Sequence, residues 1–244
     1  MEISQFELVF KPQAPAGPAD IVLQGYFLEI SNLEDRDLEF ALTLTTSSVT
    51  DPTRSLFGNA AVFVVTPSIN NNVGVFILAV SYSDESFRLD RNIFVPAGGT
   101  ALVAVQLSAP CAGGMGPPPT PDFECRGFVT LSLPVITRPI SIGEFDAVII
   151  TQQGNTPQKV MLTAQNRAVF TDPATGVAKG QTQAGLPIAT GQALNEITPD
   201  PLFFGRAEFF DLTVADRMIR SGITLEDGLA SMLATALHSK LDLK

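Results

Sequence analysis

Few residues in this chain could do chemistry, and they are quickly weighed. His238 is the single histidine, set near the end of a C-terminal helical pattern. A cation there interacts favourably with the helix dipole. No serine, cysteine or carboxylate spacing around it suggests a nucleophile–base pair. The carboxylates gather in two places, Glu34, Asp35 and Asp37 in one turn and Asp84, Glu85 and Asp90 in another region. Either set offers oxygen ligands of the kind Ca²⁺ takes, but neither follows a calcium-loop spacing, so both are expected to be solvated turns. A glycosidase pair would have to be assembled from separate strands. Two cysteines and one histidine do not complete a structural zinc site. Cys111 and Cys125 bracket a Gly/Pro-rich stretch, AGGMGPPPTPDFE, that would let them bridge, yet reduced thiols are the expectation where no export signal is read. CAGGMG at 111–116 leads into three prolines rather than a helix, so it does not present helix N-terminal amides to a phosphate.

Two arginines stand apart. Arg126 in CRGFVTL and Arg167 in QNRAVF each lie beside an apparent strand. An arginine so placed anchors a carboxylate or phosphate through its planar fork, or simply pairs with an acidic neighbour. They are the candidate ligand-binding residues. No catalytic residue, metal ligand or cofactor site is expected.

Composition narrows the classes further. The 244 residues carry 15 basic against 25 acidic side chains, a formal net charge of −10, and no basic cluster. Nucleic-acid binding leaves a basic footprint because phosphate contacts dominate affinity, so that class is excluded, as is a polybasic membrane-surface role. No apolar run approaches the ~20 residues that span a bilayer, and MEISQFELVF does not read as a secretory signal. A soluble, cytoplasmic protein is the expectation. Hydrophobic residues make up 45% and charged ones only 16%, which supplies a large core and leaves surface to be covered by polar residues or by other subunits. Seventeen Phe with no Trp and two Tyr suit packing better than sugar or base stacking.

The elements that must position these residues are mostly strands. Leu38, Phe40, Leu42 and Leu44 alternate with Glu39, Ala41, Thr43 and Thr45, the period of a half-buried strand. Further strands are expected at 6–10, 21–31, 60–66, 74–82, 127–135, 145–151, 158–164 and 167–172. FRLDRNIFVPAGGTALVAVQL (87–107) reads as a β-hairpin turning at Pro96-Ala97-Gly98-Gly99, because glycines supply positive φ and proline stays out of a central ladder. Short strands every 8–12 residues argue for an antiparallel β-sandwich, immunoglobulin-like or jelly-roll-like, over 1–172, enlarged or split near 108–124. Residues 173–205 show no period and are expected to wrap the sandwich irregularly. The last forty residues change to helical spacing. Thr213/Asp216 and Thr224/Asp227 mark two helix starts, and Ser221-Gly222 a stop, giving a C-terminal helix pair within 173–244. On the second helix Leu225, Leu229, Met232, Leu233 and Leu237 form an apolar stripe, and Ala230 and Ala234 a small-residue face. Together these seven are the candidate interface.

YFLEISNLEDRDLEFALTLTT (26–46) and IFVPAGGTALVAVQL (93–107) resemble the ends of bacterial immunoglobulin-like modules, in which an early strand closes on a Ser-Asn turn and a late strand pair is joined by proline, a small residue and glycine. The resemblance covers about residues 20–108 and implies architecture only, since many functions sit on that fold. The function expected first is therefore non-enzymatic: self-association or binding to a protein partner. A small-ligand-binding module is the alternative, and a carboxylate-dependent hydrolase a third class.

Overall fold

Residues 1–13, 19–47, 56, 60–70, 72–76, 78–83, 86–107, 123–142 and 145–201 are described by a computed structural model. They form strands β1 (Glu2–Pro12), β2 (Ile21–Asn32), β3 (Leu38–Thr46), β4 (Ala60–Val65), β5 (Val73–Phe76), β6 (Leu78–Ser83), β7 (Ser86–Leu89) and β8 (Ile93–Val95). There follow β9 (Thr100–Leu107), β10 (Phe123–Ser132), β11 (Ile136–Ile142), β12 (Phe145–Thr151), β13 (Gln158–Thr171), β14 (Ala178–Leu186) and β15 (Leu194–Ile197). The fold is mainly β and antiparallel, as the alternating pattern predicts. The expected C-terminal helix pair, His238 and all seven candidate interface residues (Leu225, Leu229, Ala230, Met232, Leu233, Ala234, Leu237) lie outside the described residues.

Two compact units are present. The second contains Val135–Gln153, where β11 and β12 form a two-stranded antiparallel hairpin running from Ile136 opposite Thr151 to Ile142 opposite Phe145. The first holds the other thirteen strands in one continuous sheet ordered β5-β4-β9-β2-β1-β10-β3-β7-β6, with β8 on β3 and with β13, β14 and β15 joined through β2. Strand β2 makes the sheet curl into a half-barrel. One edge pairs with β13 along its whole length, from Ile21 opposite Thr171 to Asn32 opposite Val160. The other edge is shared: its first residues pair with the end of β1, and Tyr26–Ser31 pair with β9. β1 then continues into a ladder with β10, so the sheet rolls over the core.

The period of two fills that core. Ile3, Phe6 and Leu8 of β1, Tyr26, Leu28 and Ile30 of β2, Leu38 to Leu44 of β3 and Val103 to Leu107 of β9 all send alternate side chains inward. The Tyr26 ring meets Phe6 edge-on at 6.3 Å, and its hydroxyl shares a 2.9 Å hydrogen bond with Ser4, so a large aromatic is buried with its polar end satisfied.

Four sequence expectations change. The PAGG reversal exists, with Gly98 at φ 65° and Gly99 N–H donating to Pro96 O at 2.9 Å. Its flanking strands do not pair with each other as a hairpin: β8 joins β3, while β9 joins β2 and β4. A turn with positive φ only at its third residue has the type II pattern, which splays its strands, whereas hairpins favour the primed turns. The apolar run at 74–82, expected as one buried strand, serves two elements, β5 on β4 and β6 on β7. The two expected strands at 158–164 and 167–172 are one 14-residue strand, β13. Within the segment expected to be irregular, β14 and β15 extend the sheet, both on β13. The sequence concealed β14 because AKGQTQAGL is polar and exposed on both faces, leaving no alternation to detect.

Candidate functional site

Register separates the two arginines. Arg126 on β10 stands opposite Glu7 of β1. Its Nε donates to Glu7 Oε1 at 2.6 Å and its Nη2 lies 2.5 Å from Glu124 Oε1. Glu124 also pairs with Lys11, and Gln24 of β2 donates to Glu7 Oε2 at 3.0 Å. This is an exposed ion-pair network on the outer face of β10, β1 and β2. The Glu7 hydrogen bond, then the charges of Glu7 and Glu124, raise the Arg126 pKa. The guanidinium is engaged by both carboxylates.

Arg167 on β13 stands opposite Gly25 of β2 on one side and Gln183 of β14 on the other. Neither neighbour is acidic, and glycine leaves room. The guanidinium stacks over the Phe27 ring, 4.3 Å from its centroid, a cation–π contact. It forms no ion pair with a described residue, and its Nε is buried without a hydrogen-bond partner. An orphaned buried donor on a cation costs about 1–3 kcal/mol or more, so it calls for an explanation. A cavity of about 590 Å³ opens across β9, β2, β13 and β14. Leu23, Phe27 and Val169 supply its apolar wall, and Gln24, Gln106, Gln181 and Gln183 its amides. A Cβ added at Gly25 would sit 2.9 Å from the Val105 carbonyl oxygen, so glycine here is what lets β9 approach β2 this closely.

Other candidates resolve into structure. In the acidic turn, Glu34 Oε1 accepts the Lys159 N–H at 2.7 Å and Asp37 Oδ1 accepts the Ala97 N–H at 3.0 Å, so two of the three carboxylates serve neighbouring backbone. No cluster of three metal-ligating side chains occurs among the described residues. Asp84, Glu85 and Cys111 lie outside them. At the β13–β14 turn, Asp172 is held down to about 2 by Lys179 and by the N–H groups of Ala174 and Thr175. Its contribution is present above the ordinary carboxylate pKa and is lost as pH falls toward 2.

Cys125 is a free, buried thiol in the core, and burial pushes it up to about 11. A raised acid keeps its proton in the folded chain after the unfolded chain has lost it, so stability falls as pH rises from about 9 toward 11. Tyr26 is raised in the same sense by burial. Between pH 8.5 and 10.5 the wild type is expected to lose about 2 kcal/mol more than Cys125→Ala, read from urea midpoints; parallel pH dependences would refute a buried, raised thiol.

Sequence reasoning named Arg167 but missed Gly25, Phe27 and the glutamines of β14. One signal was present, a glycine inside a strongly apolar strand; the glutamines of β14 lie in a segment polar on both faces and carried none. No protein-family model and no curated protein matches this chain.

Proposed function

We propose that this chain is a non-enzymatic binding module that holds a small anionic ligand in the groove at Arg167. The observation that carries the reading is a guanidinium with no ion pair among the described residues, stacked on Phe27 and lining a cavity of ligand size. The lining residues supply charge, hydrogen bonds and apolar surface, and among those described there is no carboxylate, histidine or cysteine to act as base or nucleophile. Isothermal titration of the full chain with benzoate and with phenyl phosphate tests it. At least one should bind the wild type, and Arg167→Met, which keeps the stem over Phe27 but removes the charge, should weaken that binding tenfold or more. Equal binding by the variant would refute it.

Self-association is a second reading, favoured by an apolar strip on the outer face at the end of the sheet. Val73 and Val75 of β5 are 63% and 56% exposed and stand opposite Val65 and Phe63 of β4. Strips of this kind mark interfaces. Val75→Lys should convert an associated wild type to monomer in light scattering at micromolar concentration, without loss of fold. A monomeric wild type would remove the reading.

The same proposal treats the curled sheet as an enlarged immunoglobulin-like sandwich. Its support is the meeting of the two resembling motifs: Asn32, from the Ser-Asn turn, donates to the carbonyls of Val95 and Pro96 beside the PAGG turn.

A further inference from the structure

The groove sorts anions by charge and shape, and we infer that its ligand is a monocarboxylate carrying an apolar body rather than a phosphate ester. This rests on the binding reading above. Among the described residues one cation lines the groove and no second cation or anion does, so a single negative charge is matched there. A phosphate monoester carries about −1.5 to −2 at pH 7 and would leave close to one charge uncompensated beside apolar wall.

The donors point the same way. Stacking on Phe27 fixes the plane of the Arg167 guanidinium, and its Nε is closed off from solvent, which leaves the terminal nitrogens to meet a ligand. The two terminal Nη groups of a guanidinium form a planar two-donor fork, matched by two coplanar carboxylate oxygens. Phosphate sites usually draw further donors from helix N-termini or from backbone nests. Here the floor is strand. β2 and β13 are paired from one end to the other, and β14 takes the second edge of β13 from Ala164 to Thr171, so the ladders occupy those amides. What remains is neutral: Gln106, Gln181 and Gln183, each both donor and acceptor, suited to a polar substituent rather than to a dianion. Leu23, Phe27 and Val169 receive the apolar body.

The test uses the full wild-type chain, titrated calorimetrically at pH 7 and fixed ionic strength with benzoate, phenyl phosphate and the neutral benzyl alcohol. Benzoate is expected to bind at least tenfold tighter than phenyl phosphate and tenfold tighter than benzyl alcohol. Arg167→Lys, which keeps the charge and loses the fork, should weaken benzoate about tenfold. Phenyl phosphate binding as well as or better than benzoate overturns the carboxylate assignment while leaving an anion groove standing. Benzoate binding equally to wild type and Arg167→Lys overturns the role given to the fork. Benzyl alcohol matching benzoate, or no binding by any probe at millimolar concentration, overturns both the assignment and the binding reading. The wild-type comparisons decide the matter whatever the variants do to folding.

Discussion

Gly127→Ala is expected to destabilise the protein by about 3 kcal/mol, lowering Tm by about 6–12 °C. Gly127 lies in the middle of β10, between Phe6 of β1 and Thr46 of β3. A Cβ there would come 1.9 Å from the Thr45 carbonyl oxygen and 2.8 Å from the Phe6 ring. The first obstacle is backbone in a central ladder, which cannot swing aside as a flexible side chain would. The second is a core ring already packed against Tyr26. Relief requires β10 to move away from β3 and loosen the ladder from Thr46 to Ala41. The control is Gly180→Ala on β14, where an added Cβ meets nothing within 4 Å; it should change stability by less than about 0.5 kcal/mol. Thermal melts of both variants check the pair. A Gly127→Ala melt within 2 °C of the wild type would show that β10 is not packed against β3 and β1 as described.

The second large effect falls on Asn32. Its side chain is fully buried and its Nδ2 donates to the carbonyls of Arg36 at 2.8 Å, Val95 at 3.1 Å and Pro96 at 3.2 Å. Its Oδ1 accepts the Glu34 N–H at 3.0 Å, and its own N–H donates to Gly99 O at 2.9 Å. One amide thus ties the β2–β3 turn to the β8–β9 turn. Asn32→Ala leaves those carbonyls and one N–H without this partner, at a cost of about 2–4 kcal/mol. Asn32→Asp should be worse, because it keeps the acceptor but turns an anionic oxygen toward three carbonyl oxygens. Denaturant midpoints should rank wild type above Ala and Ala above Asp. The reverse order of the two variants would show that the donor contacts contribute little.

These two residues mark how far the sequence could be read. Glycine within CRGFVTL and asparagine within ISNLED are visible as types, and both belong to segments correctly read as strand and turn. Their cost on substitution depends on partners far away in the chain: Phe6 and Thr45 for Gly127, Val95 and Pro96 for Asn32. The PAGG turn shows the same limit. Its residues determine a reversal with one positive φ, whereas the choice between a hairpin and two strands parting to β3 and to β2 and β4 was settled by long-range pairing.

The arginines carry the lesson to the site. Arg126 and Arg167 look alike in sequence, one charged residue entering each of two apolar strands. Their difference is a matter of register. β1 brings Glu7 opposite Arg126 and closes an ion pair, while β2 brings Gly25 opposite Arg167 and leaves a cation above a cavity. By itself the sequence determined the strand periodicity, the core-facing residues, the turn chemistry and the acidic charge, because each depends on neighbours a few positions apart. Only the tertiary structure decided which strands pair and in what register, because ladders such as β1–β10 and β2–β13 join residues more than a hundred positions apart. The candidate site exists because of that register.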